Sequence, residues 1–279
     1  MHENHSIVHC SDPRYQLLRN LQTLRGRDRT GQYVIEGIRH FARAADERVP
    51  IESVFVCREA LTNAFGQRLA CRLRDSGVPV LQLAPHLYRE LTLAADPQGI
   101  GAIVRQQWIP LHDVRPGTRR LWLAVESIDS PGNLGTIIRT AEATGIAGIL
   151  ILGNGADPHD PATVRASMGA IFSQRFVRCE TREFIDWARA RHVAIVGSSP
   201  AGLFDYRAFP CRWPAVLLIG SEKRGLSEML QQACDFTVRI PMLGQGDSIN
   251  AAVAAGVLLY ELFYQRIPNA GTLAASKSQ

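Results

Sequence analysis

The stretch that decides the fold runs Leu121-Trp122-Leu123-Ala124-Val125-Glu126-Ser127-Ile128-Asp129-Ser130-Pro131-Gly132-Asn133-Leu134-Gly135-Thr136-Ile137-Ile138-Arg139-Thr140. Five apolar residues come without interruption, a polar turn follows, and Ile137, Ile138 and Ala141 then recur at helical spacing. An unbroken apolar run of this length suits a strand buried on both faces, the habit of parallel sheets. The pattern returns at 148–152, 193–197, 215–219 and 236–240, with helical stretches between the runs. The fold class expected from residue 121 onward is therefore α/β, with a mostly parallel sheet.

Two further polar islands follow apolar runs. One is Ile219-Gly220-Ser221-Glu222-Lys223-Arg224-Gly225-Leu226, and the other is Ile240-Pro241-Met242-Leu243-Gly244-Gln245-Gly246-Asp247-Ser248-Ile249-Asn250. Open α/β sheets bind ligands beyond the carboxyl ends of their strands, where all three islands fall. In the first, Gly132 and Gly135 allow close backbone approach. Arg139 lies one helical turn beyond Gly135, as a ligand contact or an exposed surface arginine. The pattern is not G-x-G-x-x-G and gives no nucleotide fingerprint. In the second, Gly220 and Gly225 bracket Glu222, making a pocket wall or an ordinary strand-to-helix loop. In the third, Ser248 and Asn250 stand where a helix starts, so helix capping alone accounts for either.

Upstream, a smaller α/β unit is legible. Asp12-Pro13 marks a helix start with Leu17, Leu18 and Leu21 on one face. A strand over 33–35 precedes a helix through Ile38, Phe41, Ala42 and Ala45. A strand over 51–57, a helix over 59–75, a strand over 79–83, a helix over 85–93 and a strand over 99–104 complete it. Arg14, Arg19, Arg25, Arg27 and Arg29 crowd a helix and the loop after it, suiting either RNA phosphate or a solvated surface. The domain boundaries expected are 1–105 for this unit, 106–120 for a Pro- and Gly-containing linker, 121–267 for the larger unit and 268–279 for a disordered tail.

The chain carries a net charge of +5 with a pI near 9.1, which permits an acidic partner such as RNA. Its only lysines are Lys223 and Lys277, so the positive charge is nearly all arginine, through genome composition or because arginine suits phosphate and base recognition. Six scattered cysteines with no C-x-x-C read as buried reduced thiols and point to the cytoplasm. Eight histidines without ligand spacing argue against a metal site. The first residues are polar, so no signal peptide is expected, and no apolar run is long enough to span a bilayer.

Taken in order, Asn133-x-Gly135-x-x-x-Arg139, Gly220-x-Glu222-x-x-Gly225 and Ile240-Pro241-Met242 leading to Ser248-x-Asn250 resemble the three motifs of the SpoU/TrmH family of RNA ribose 2′-O-methyltransferases, in the SPOUT superfamily. Arg165-Ala166-Ser167-Met168-Gly169-Ala170 is similar to another family segment. Tyr33-Val34-Ile35-Glu36-Gly37-Ile38-Arg39 looks like the start of the family's L30e-like RNA-binding domain. Ile249 departs from the usual leucine, and Lys223-Arg224 is a second departure.

The resemblance implies a carboxyl-terminal trefoil knot, a homodimer and S-adenosylmethionine as cofactor. It implies cofactor contacts at Gly220, Ile240, Met242, Ser248 and Ile249, to which Ser198 and Ser199 are added because they follow the strand over 193–197. Arg139, Asn133, Glu222, Ser248 and Asn250 are the implied catalytic set, and Arg25, Arg27, Arg29 and Arg165 the candidate RNA contacts. The family proposal makes Arg139 a general base. A guanidinium deprotonates only above about pH 12, so a charged clamp on a phosphate or on the developing 2′-oxyanion is the better expectation. The expected substrate is rRNA of the 23S type. A tRNA substrate, a base-nitrogen methyltransferase and a non-catalytic RNA-binding or ribosome-assembly protein are the alternatives.

Overall fold

The computed structural model describes residues 6–153, 155–244, 246 and 248–267. The tail from 268, His2 and His5 lie outside them. The described chain forms two compact units. One takes the residues up to Gln106 together with Asp157–Ser173, and the other takes Gln107–Ala156 and the residues from Gln174 onward.

The first unit runs α1 (Pro13–Asn20), α2 (Leu24–Thr30), β1 (Gln32–Glu36), α3 (Ile38–Asp46), β2 (Ile51–Val56), α4 (Ala64–Asp75), β3 (Val80–Gln82), α5 (Pro85–Leu91) and β4 (Ile100–Arg105). Its sheet has the order β1-β4-β2-β3, with β4 antiparallel to both neighbours and β2 parallel to β3. Asp12 starts α1 by accepting from Arg14 N at 2.9 Å, with Pro13 in the first turn. The helix expected over 59–75 begins only at Ala64. Asn63 Oδ1 accepts from Phe65 N at 3.0 Å and Gly66 N at 3.1 Å, and this side-chain cap sets the start. Leu61 is buried in the preceding turn, whereas Phe65 is exposed.

The arginine stretch expected as a loop is helical. Thr23 Oγ1 caps α2 by accepting from Gly26 N at 3.1 Å, and Gly31 ends it at φ +66°. Arg27 is removed from the RNA contacts, because its residue is only 2% exposed. Its guanidinium pairs with Asp157 at 2.7 Å and Asp160 at 3.3 Å and donates to the Leu21 carbonyl at 2.9 Å. Both aspartates belong to the segment 157–173, which the sequence reading placed with the later residues. Within that segment lies α7 (Pro161–Ala166), with Asp160 Oδ1 accepting from Ala162 N at 2.9 Å. The Tyr33 and His159 rings pack tilted at 49° with centroids 4.5 Å apart, which ties the segment to β1 as well.

The second unit runs β5 (Leu121–Glu126), α6 (Pro131–Ala143), β6 (Ile149–Leu152), β7 (Phe176–Cys179), α8 (Thr181–Ala190), β8 (Ala194–Ser198), β9 (Phe204–Asp205), β10 (Ala215–Ile219), α9 (Glu228–Ala233), β11 (Phe236–Arg239) and α10 (Ala251–Arg266). All pairings are parallel, in the order β7-β6-β5-β10-β8-β11-β9. The five apolar runs are strands as expected. β7 and β9 escaped the sequence because each sits at a sheet edge and is short, and Arg178 interrupts the apolar run of β7. Residues read as a linker are packed here: Ile109 N donates to Phe176 O at 2.8 Å and Val114 is fully buried. Cys57 and Cys179 are buried as expected, but Cys10 and Cys71 are exposed. Among the described residues no helix is long and apolar enough to cross a membrane.

Removing one partner of a buried ion pair strands the remaining charges. Arg27→Ala is therefore expected to destabilise the first unit by about 3 kcal/mol, whereas Arg29→Ala, at an exposed position, should fall within about 0.5 kcal/mol. Urea unfolding of the full chain followed by circular dichroism checks both.

Candidate active site

Strands β5, β6 and β7 step outward in one direction, and the chain then returns to the far side of β5, where β10, β8 and β11 follow. The reversal lies between β5 and β10, and it leaves the carboxyl ends of β5, β10, β8 and β11 side by side. The three polar islands leave from three of these ends, and Ser198-Ser199 from the fourth.

Side-chain hydrogen bonds connect the islands. Ser130 caps α6 by accepting from Asn133 N at 3.3 Å, which fixes Asn133 in the first turn. Asn133 Nδ2 donates to Glu222 Oε1 at 2.8 Å, and Asp129 N donates to Glu222 Oε2 at 3.2 Å. Asn250 Nδ2 donates to Asn133 Oδ1 at 3.1 Å, while Asn250 Oδ1 caps α10 by accepting from Ala252 N at 2.9 Å and Val253 N at 3.3 Å. The amide orientations follow from this chain. A carboxylate only accepts, so Asn133 must present its NH₂ to Glu222 and its oxygen to Asn250. Asn250 then has its oxygen free for the helix N–H groups. Asn250 thus both caps α10 and holds Asn133, and Ser248 is not the cap.

Burial pushes the Glu222 carboxyl up, but hydrogen bonds from the Asn133 amide and from the backbone at Glu222, Asp129 and Ser130 hold it below its usual value overall. It is a carboxylate at neutral pH. Beside it opens a cavity of about 340 Å³, lined by Ser198, Ser199, Gly220, Glu222, Ile240, Met242, Ser248 and Ile249. Close approach is real at Gly220, where a Cβ would sit 2.3 Å from the Gly225 carbonyl carbon. It is not found at Gly132, whose nearest contact would be Ser130 Oγ at 3.7 Å. Ser221 and Gly225 exchange backbone hydrogen bonds of 3.0 and 2.8 Å, closing the loop. Ser221 also lines the cavity and was missed by sequence reasoning. Its buried hydroxyl accepts from Lys223 N at 3.2 Å, a local turn that its position between two glycines could have signalled. Lys223 and Arg224 are exposed cations on the same wall.

Arg139 does not line this cavity. It is exposed on α6 and has no side-chain partner among the described residues. Arg25 and Arg29 are exposed in the first unit, as is Arg165, which donates to the Leu93 carbonyl. Among the described residues no cluster of three or more metal-ligating side chains occurs.

The SpoU rRNA Methylase family matches residues 120–260, and the MRM3-like substrate binding domain matches residues 12–102. A 23S rRNA (uridine(2479)-2′-O)-methyltransferase of Streptomyces viridochromogenes is 34% identical over 86% of this chain and 85% of its own length. The Bacillus subtilis 23S rRNA (guanosine(2553)-2′-O)-methyltransferase RlmP is 29% identical over 88% of this chain and 93% of its own. An AdoMet-bound rRNA methyltransferase of Sinorhizobium meliloti superposes with a TM-score of 0.85 at 32% identity, covering 94% of this chain and 98% of that one. The architecture is that of these SPOUT methyltransferases.

Because the Glu222 pKa is depressed, its contribution to the site is complete above the ordinary carboxylate value near 4 and is lost as pH falls through the lower folded value. Side-chain amide resonances of Asn133 and Asn250 should move together in that acid range in the wild type. In Glu222→Gln they should be independent of pH there, which NMR titration checks.

Proposed function

Since the chain belongs to the SpoU rRNA methylase family, we propose that it transfers a methyl group from S-adenosylmethionine to a ribose 2′-hydroxyl of ribosomal RNA, of the 23S type on which its named relatives act. The observation that carries the reading is the hydrogen-bonded chain Asn250–Asn133–Glu222 beside a cavity at the sheet's reversal point.

The cavity suits the cofactor. Its volume of about 340 Å³ falls in the range of small-ligand pockets, and apolar side chains from Ile219, Ile240 and Ile249 alternate with backbone exposed at Gly220. Ser198, Ser199, Gly220, Ile240, Met242, Ser248 and Ile249 are the residues that would hold it, with the Glu222 carboxylate available to its cationic centre. When bound, S-adenosylmethionine supplies an electrophilic methyl group on a sulfonium sulfur.

The protein's own task is to hold the ribose and manage its charge. Each NH₂ has two hydrogens. Asn133 gives one to Glu222 and Asn250 gives one to Asn133, so each keeps one donor for a ribose oxygen. Glu222 locks the pair, because hydrogen bonds to a charged partner are worth about 1.5–3 kcal/mol. Arg139, exposed and without a side-chain partner among the described residues, binds a substrate phosphate or the 2′-oxygen as it becomes anionic, since a guanidinium suits a clamp on negative charge better than proton abstraction. Orientation of this kind lowers a barrier by several kcal/mol.

The protein acts as a homodimer in this reading. Val253, Tyr260 and Tyr264 leave α10 exposed along one stripe of the helix, with Val257 half-buried between them, and an apolar stripe of this kind suits a second copy. The same helix begins at Asn250, so its pairing lies next to the catalytic chain.

Ribose-methylation mapping of 23S, 16S and transfer RNA, with and without the protein, tests the assignment. One 2′-O-methyl position in 23S rRNA should depend on it. A tRNA position instead would redirect the substrate, and no changed position in any RNA would overturn the enzymatic reading. Arg139→Lys, which keeps charge but not the two-pronged geometry, should lower kcat about a hundredfold without changing affinity for S-adenosylmethionine measured by calorimetry.

A further inference from the structure

The first unit contains a second, smaller cavity, of about 210 Å³, that the catalytic chemistry does not use. Its floor is apolar: Val34, Leu91 and Val164 are 6%, 8% and 2% exposed. His40 lies in the same wall, where burial holds its pKa below the ordinary value, and the Glu36 carboxylate, which also lines the cavity, accepts from Tyr88 Oη, Thr92 Oγ1 and Leu93 N. The rim is polar, with Arg39, Arg165, Gln98 and Asp96 exposed.

The rim has unused donors. Gln98 Oε1 accepts from Ile38 N at 2.8 Å, which fixes the amide and leaves its NH₂ without a partner among the described residues. Arg39 has no partner among the described residues, and Arg165 spends one donor on the Leu93 carbonyl. Met168, also in the lining, is held at φ +54° and followed by Gly169 at φ +92°. A bulky side chain in the left-handed region is uncommon, and such outliers gather at binding sites. A cavity below the ~300 Å³ typical of drug-sized ligands admits one ring system.

We propose that this cavity receives one unstacked nucleotide of the substrate RNA other than the methylated one, with the base on the apolar floor and its phosphate held by Arg39 and Arg165. This rests on the RNA-methyltransferase reading above. Sequence-specific recognition of RNA works on splayed-out bases read at their edges, while arginine–phosphate contacts set position. The Gln98 NH₂ donates to a base carbonyl, and Asp96 beside it accepts from a base N–H. A carbonyl next to an N–H is the edge of uracil or guanine. The cavity is thus a specificity device for the substrate, assembled from the amino-terminal residues and from α7.

The test uses the full-length enzyme, radiolabelled S-adenosylmethionine and in-vitro-transcribed 23S rRNA. Arg39→Ala, Gln98→Glu and Gln98→Ala should each raise the KM for RNA about tenfold, with kcat and cofactor affinity near wild type. Gln98→Glu keeps the acceptor for Ile38 N, so a folding defect does not explain its effect, and Gln98→Ala controls for added charge. A transcript carrying 4-thiouridine or 6-thioguanosine should crosslink on irradiation to the peptide spanning Leu91–Gln98. Wild-type KM in both Gln98 variants overturns the base pocket, whatever Arg39→Ala does, because Arg39 alone would be a phosphate contact. Crosslinks confined to peptides outside this cavity overturn it equally. A wild-type enzyme that methylates no RNA removes the premise instead, and that outcome is separate from the other two.

Discussion

Parallel pairing of β5 with β10 is the constraint on which the site depends. The two strands are remote in sequence, yet Ala215–Ile219 lies in register with Leu121–Val125. A parallel pair sends both chains out at the same end, so the loop after Glu126 and the loop after Ile219 must emerge together. That shared exit lets Asn133 meet Glu222 across 89 residues of sequence. It also demands a buried strand, and β10 is apolar and buried throughout. A charge introduced there would disturb the sheet and the alignment of the Asn133–Glu222 pair at once.

Strand and loop identity was legible because it rests on local chemistry. An apolar run followed by glycine and polar residues declares a strand end whatever the tertiary partners are. The amides at Asn133 and Asn250 could be named but not joined, because their link is a through-space hydrogen bond between separate elements. Arg27 shows the opposite case. Its neighbours Arg25 and Arg29 have the same residue type and a similar context, and only the fold distinguishes the buried guanidinium from its exposed companions. Edge strands β7 and β9 were lost for a related reason: at an edge the periodicity is too short and too mixed to stand out.

Capping and the hydrogen-bonded side-chain chain share a residue here. Asn250 satisfies two helix N–H groups with its oxygen and holds Asn133 with its nitrogen. A helix cap contributes about 1 kcal/mol, so the residue would be favoured at that position even in a protein without activity. The cap and the bond to Asn133 use different atoms of one amide, so neither excludes the other at Asn250. Ser248 differs, lining the cavity without capping the helix.

The pairing of Arg27 with Asp157 and Asp160 also bears on modularity. The amino-terminal unit looks like a detachable module, since the substrate-binding match ends at residue 102. Its buried arginine, however, is neutralised by carboxylates that the chain supplies some 50 residues later, from within the span that the methylase match claims. The unit of folding and the unit of sequence therefore do not coincide. Exchange of amino-terminal domains between relatives, the obvious route to a new RNA target, would have to carry residues 157–173 along or leave a cation without its counterions. The unit that carries the substrate-binding match is therefore inherited in two pieces.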